Sequence, residues 1–152
     1  MKFLKVLKSR NGRPIQFDEV EPKIERICQK YDIGLLYLFG SYAVGEATGL
    51  SDLDVGILPD GKFTLDDLLH LTSDLQEVFE EEAIDVVDLR KAPPTLIHRV
   101  LRHGRCLYAR DLRMKIENEA RWQTLYMDTE PLRRERFEAL KRRLQDGTFG
   151  TR

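Results

Sequence analysis

Cysteine is scarce in this chain. Its 152 residues include two, Cys28 and Cys106, and neither belongs to a C-x-x-C pair. A structural zinc site is therefore not expected, and two free thiols in a reducing cytoplasm fit better than a disulfide framework. Neither cysteine has a recognisable base partner in the sequence, so thiol catalysis is not expected either. Long apolar runs are missing too. None approaches the ~20 residues needed to cross a bilayer. The basic N-terminus MKFLKVLKSRNGRP lacks the apolar core of a signal peptide. The expected location is the cytoplasm, with no membrane partner. Net charge is almost absent, at −1, which gives no general attraction to nucleic acid, and no nucleic-acid partner is expected. Of the three histidines, His98 and His103 do not share a helix face well and are not read as a metal pair, and His70 sits in a leucine-rich stretch as a structural residue.

What is present is a globular composition, 41% hydrophobic and 34% charged. A helix is expected from Asp18, as N-cap with Glu21 reaching back, carrying Val20, Ile24, Ile27 and Tyr31 on one face and ending before Gly34. Pro22 falls in its first turn, where it is tolerated. Residues 35–39 form a continuous apolar run, the pattern of a buried strand. Gly40-Ser41 breaks it, 42–50 reads as a turn or one short helical turn, and 52–58 reads as a second strand ended by Pro59-Asp60-Gly61. A helix over 64–82 is expected to present Leu65, Leu68, Leu69, Leu75, Val78 and Phe79, with Thr64 and Asp67 as a capping box. A third strand over 84–89, a helix over 95–103 stopped by Gly104, and a short strand over 106–108 follow.

Two further helices are expected, over 111–127 and from Pro131. The first carries Leu112, Ile116, Trp122, Leu125 and Tyr126, and the second Phe137, Leu140 and Leu144. Residues 147–152 should fray. Trp122, Leu125 and Tyr126 read first as core and otherwise as a docking surface. The basic run of the last helix reads as a solvated face. The expected organisation is a domain over 1–110 and a C-terminal helical extension over 111–152, packed on the domain or on a partner.

Charge is unevenly spread. Residues 60–88 hold ten acids and one base, whereas 91–110 hold five bases and no acid. If the fold joins the two segments, a basic rim would face an acidic site, an arrangement suited to a phosphate-rich ligand on metal ions. The acidic site is legible in FGSYAVGEATGLSDLDVGIL, residues 39–58. On a strand, Asp52 and Asp54 point the same way, about 6.5–7 Å apart. Their mutual repulsion needs an offset, and a divalent cation such as Mg²⁺ is the usual one. A third carboxylate on a neighbouring strand would complete a site for two ions. IDVVDL offers Asp85 and Asp88, which point to opposite faces, so one can join. Asp85, nearer the strand's start, is preferred. Gly40-Ser41 offers backbone N–H groups and a hydroxyl to a phosphate.

The pattern G-S-x10-D-x-D, filled by GSYAVGEATGLSDLD, resembles the signature of the DNA polymerase beta-like nucleotidyltransferases. More narrowly it resembles the minimal nucleotidyltransferases encoded as antitoxins beside HEPN-domain toxins. The resemblance covers about residues 18–110. It implies an α+β fold, a small mixed β-sheet packed with helices and followed by a helical tail. It also implies Mg²⁺-dependent transfer of AMP from ATP to a tyrosine hydroxyl of a HEPN-type toxin ribonuclease, which silences it. By motif position, Asp52 and Asp54 would bind two Mg²⁺ ions, Asp85 the ion that activates the acceptor, and Gly40 and Ser41 the triphosphate tail. Many relatives have arginine where this chain has Val44; Arg99 or Arg102 could supply the missing cation. The alternatives are transfer to a small hydroxylated molecule of the aminoglycoside type, and a non-catalytic antitoxin that acts by binding alone.

Overall fold

The two apolar runs become the two central strands of a four-stranded sheet. The structure, a computed structural model, describes residues 7–8, 14–40 and 52–147. The expected turn over 42–50, with Val44 in it, and the end of the frayed tail, 148–152, lie outside these residues. A short antiparallel pair, β1 (Leu7–Lys8) with β2 (Pro14–Ile15), precedes α1 (Phe17–Lys30). Then come β3 (Ile33–Phe39), β4 (Leu53–Pro59), α2 (Leu65–Phe79), β5 (Ile84–Asp88), α3 (Pro94–His103), β6 (Arg105–Ala109), α4 (Leu112–Asp128) and α5 (Glu130–Gln145). The sheet runs β5-β4-β3-β6. β3 is antiparallel to both its neighbours, and β5 is parallel to β4. Parallel pairing needs a long crossover, which α2 provides.

Helices cover both faces of the sheet, so the central strands, Asp54 apart, are apolar on both faces rather than alternating. Leu36, Leu38, Leu53, Val55 and Ile57 pack with Ile24 of α1 and Leu71, Leu75 and Phe79 of α2. Leu35, Tyr37, Phe39 and Leu58 pack with Ile97 and Val100 of α3 and Trp122 of α4. This α+β architecture matches the expected class.

Several details differ from expectation. α1 starts at Phe17 with Gln16 as its N-cap and no side-chain cap bond; Asp18 and Glu19 instead lie in the first turn, where their charge complements the helix dipole. Gly34 lies within β3, where a Cβ would overlap the Met114 side chain. The Thr64–Asp67 capping box forms, but α2 stops at Phe79, and Glu80 caps it in the left-handed region with φ 51°. Leu71, Leu75 and Phe79 carry its buried face, while Leu65 and Leu69 are exposed. On α4, Trp122 is in the core, whereas Leu112, Ile116 and Leu125 are exposed. α5 buries nothing, and Phe137, Leu140 and Leu144 face outward.

One ring anchors α5. The His98 imidazole stacks on Tyr126 at 3.8 Å and 3°. The Arg133 guanidinium lies 3.7 Å from the centroid of the same ring. Two groups so close to one centroid must take its two faces, so α3, α4 and the start of α5 are tied through Tyr126. Arg133 also donates to the Tyr126 carbonyl at 2.6 Å. Among the described residues, no helix is long and apolar enough to cross a membrane.

Candidate active site

Alternation along β4 places the aspartates. Leu53, Val55 and Ile57 lie under α1 and α2, so Asp54, and Asp52 just ahead of the strand, belong to the face covered by α3 and α4. In the parallel register Asp54 lies opposite Asp85. On β5, Ile84 and Val86 join the α1–α2 core, whereas Val87 and, just past the strand, Leu89 join the α3–α4 core. Asp85 therefore shares the face of Asp54.

Asp88 is on the other side and has its own partner. Its carboxylate accepts from Arg90 at 2.8 Å and from the Arg90 backbone N–H at 2.9 Å. Arg90 also reaches the Gly61 carbonyl at 2.9 Å. Burial pushes the Asp88 carboxyl up, but the Arg90 bonds outweigh it and hold the group below the ordinary carboxylate range. Asp88 thus secures the turn after β4.

Asp54 is shifted the opposite way. Burial, then the charges of Asp85 and Asp52, raise its pKa, and Arg99 of α3 opposes them. Asp85 of the acidic segment and Arg99 of the basic one thus both act on this carboxylate. Gly40, which follows β3 with φ +73°, is packed so closely that a Cβ there would overlap Asp54 Oδ2. Both features demand glycine. Its partner in the motif, Ser41, lies outside the described residues.

Among the described residues, no three His, Cys, Asp or Glu side chains converge as a ready-made metal cage. The donor set nevertheless fits magnesium. It is all oxygen, it gathers negative charge that a cation would relieve, and Mg²⁺ is typically held by one or two carboxylates with substrate phosphates and water. His98 is stacked on Tyr126. The buried Cys28 thiol is pushed up to about 12, chiefly by burial, and Cys106 donates to the Tyr108 carbonyl at 3.3 Å.

Gly40, Asp52, Asp54 and Asp85 all lie within a segment that matches a known family. The profile of the family described as polymerase beta, nucleotidyltransferase matches residues 22–113. A relative from Methanocaldococcus jannaschii, named "Putative protein adenylyltransferase", is 34% identical over 88 residues, 57% of this chain and 92% of its own length. Protein adenylyltransferase MntA from Shewanella oneidensis is 36% identical over 76 residues, 49% of this chain and 52% of its own. The fold is similar to that in the complex of tri-AMPylated Shewanella oneidensis HEPN toxin with MNT antitoxin, with a TM-score of 0.67, 21% identity, and 83% of this chain and 99% of that one covered. With a family match across more than half its length and an α+β fold of the same type, the chain belongs to the polymerase beta nucleotidyltransferase family and is a nucleotidyltransferase.

Proposed function

We propose that the chain is the antitoxin of a two-component module, transferring AMP from ATP to a tyrosine hydroxyl of a HEPN-type toxin ribonuclease in the cytoplasm. The observation that carries this reading is the register of Asp54 opposite Asp85 on one face, with Asp52 two residues upstream, inside the segment matched by the family. The names of the two relatives support adenylyl transfer to protein, and the likeness to a chain of a HEPN toxin–MNT antitoxin complex supports the class of partner.

In this reading Asp52 and Asp54 would hold two Mg²⁺ ions, with Asp85 as a further ligand to one of them. Bound there, the ions supply Lewis-acid charge stabilisation to the attacking and leaving oxygens. Gly40 lets the backbone approach the triphosphate, and Ser41 adds a hydroxyl donor. The acceptor oxygen forms a bond to the α-phosphorus, and the bond from that phosphorus to the oxygen bridging to the β-phosphate breaks. Pyrophosphate leaves, and the hydroxyl proton passes to solvent water.

The test uses the purified protein, Mg²⁺, α-labelled ATP and the HEPN toxin as acceptor. Label should appear on the toxin and vanish with Asp54→Asn, while the two proteins still bind. Neutralisation of the toxin by Asp54→Asn would overturn the catalytic reading in favour of occlusion.

A further inference from the structure

α5 runs for 16 residues and buries none of them. Its anchor, Arg133 on the Tyr126 ring, lies near its start. A helix of this length is marginal in water unless an amphipathic face packs on something. Such a face is present. Phe137, Leu140 and Leu144 recur at helical spacing and form one stripe, with Phe137 63% and Leu144 57% exposed. Arg136 and Arg143 border the stripe on one side, and Arg134 and Lys141 on the other. α2 carries a second exposed strip. Its Leu65 and Leu69, one turn apart, are 70% and 60% exposed.

The two strips have surroundings of opposite charge. α2 holds four acids and no lysine or arginine, whereas α5 holds six bases and three acids. Asp66 and Glu77 lie exposed along the outer flank of the α2 leucines. Neither they nor Arg136 and Lys141 form an ion pair with any described residue. The strips do not meet within one chain. α2 packs on one face of the sheet, and α4, which α5 continues, packs on the other. Pairing of α5 with α5 of a second copy is opposed by charge. In either orientation it would set the flanking bases of one helix against those of the other.

We propose that two copies of this chain exchange their last helices, the stripe of α5 from each lying along Leu65 and Leu69 of α2 on the other. A two-fold axis relates the two contacts, so each copy gives one α5 and receives one. Apolar surface supplies the attraction, and the bases that flank α5 meet the acids of α2, which selects this pairing over α5 on α5. The inference is independent of the transfer chemistry, because neither helix supplies a carboxylate of the site.

The test is sedimentation equilibrium of the full-length protein with no other protein present. Wild type should be dimeric at about 50 μM, and raising salt from about 50 to about 500 mM should weaken the dimer at least about threefold, since exposed charges are screened. Phe137→Ser and Leu69→Ser should each be monomeric, because each substitution spoils both contacts of the pair. Leu112→Ser, at an exposed leucine of neither strip, should stay dimeric. All three positions are exposed, so melting curves confirm that the variants fold. Mixing the two monomeric variants should restore a dimer weaker than wild type. The intact α5 of the Leu69→Ser chain then meets the intact α2 of the Phe137→Ser chain, leaving one sound contact of two. Loss of the dimer in Phe137→Ser but not in Leu69→Ser would overturn the inference in favour of α5 on α5. A wild type that is monomeric at about 100 μM, the upper range of such weak association, would overturn it as well. Protection of the α5 amides from exchange only on addition of the HEPN toxin would then assign the stripe to the toxin.

Discussion

Gly40 and Asp54 fit together because residue 40 has no side chain: a Cβ there would overlap Asp54 Oδ2. The backbone at Gly40 is also left-handed, with φ +73°. The two constraints compound, since a side chain would have to tolerate the unfavourable φ and displace the carboxylate. Gly40→Ala should cost ~1–2 kcal/mol of stability from the φ alone. Its larger effect should be on chemistry, because Asp54 is pushed out of register with Asp85. Labelled AMP transfer should fall at least about a hundredfold, the penalty that a misplacement near 1 Å can bring, while circular dichroism stays native.

Asp54 gives a pH signature. Its folded-state pKa is raised, first by burial and then by Asp85 and Asp52. The folded protein thus holds this proton more tightly than the unfolded chain does. Folding takes up a proton between the ordinary carboxylate range and the raised value, and this contribution is lost as pH rises through the folded pKa. At neutral pH the ionised group is therefore a cost to the metal-free fold. Asp54→Asn should stabilise the metal-free protein by on the order of 0.5–2 kcal/mol, read as a higher melting temperature, and should abolish transfer. Mg²⁺ should stabilise wild type more than the variant. A variant that melts below wild type without metal would contradict the electrostatic argument.

Some of this was legible in the sequence and some was not, for identifiable reasons. β3 and β4 show as continuous apolar runs because helices cover both sheet faces, and simple alternation then puts Asp52 and Asp54 on one side. Choosing between Asp85 and Asp88 needs the β4–β5 register, a long-range property, although the three-residue spacing already restricts the choice to one. α2 misled because its leucines at 65, 68, 69, 71 and 75 describe two overlapping stripes, and only packing against α1 selects the one through Leu71. The C-terminal helices misled similarly. Leu112, Ile116, Phe137 and Leu144 have helical spacing yet remain exposed, since periodicity shows that a face is apolar without showing what covers it. Arg99 carries no local signal beyond its acid-free segment, and its approach to Asp54 comes from the placement of α3.

Tyr37 of β3 donates to Glu119 of α4 at 2.6 Å, and Glu119 also accepts from Lys115 at 3.1 Å. This bond ties α4 to the central strand beside Trp122. Burial, then the Glu119 bond, raises the Tyr37 pKa strongly, so the hydroxyl remains a donor throughout the accessible pH range. Tyr37→Phe keeps the ring but leaves the carboxylate short of a partner, at a cost of ~1–3 kcal/mol, or ~2–4 °C of melting temperature per kcal/mol. The single tryptophan, one turn along α4, should report the change in its fluorescence. If Tyr37→Phe leaves both melting and emission unchanged, α4 is held by Trp122 packing alone.

Asp85 and Asp88 provide the sharpest contrast because they are similar in sequence and different in surroundings. Asp85 lies opposite Asp54 across the parallel pair. Asp88 lies opposite Ile57 and binds Arg90, which in turn holds the Gly61 carbonyl of the turn after β4. Replacing Asp85 removes a charge from the site and relieves repulsion on Asp54. Replacing Asp88 strands a partly buried guanidinium and loosens that turn. Asp85→Asn should therefore reduce labelled AMP transfer at least about a hundredfold with melting unchanged or slightly raised. Asp88→Asn should transfer near the wild-type rate but lose ~1.5–3 kcal/mol of stability, the scale for hydrogen bonds to charged groups. Because the Asp88 carboxyl is held below its ordinary pKa, its stabilisation is present above the unfolded carboxylate range and disappears as pH falls through the folded value. The stability gap between wild type and Asp88→Asn should thus close in acid. Loss of transfer in Asp88→Asn at a temperature where it is fully folded would place the third carboxylate on the wrong residue.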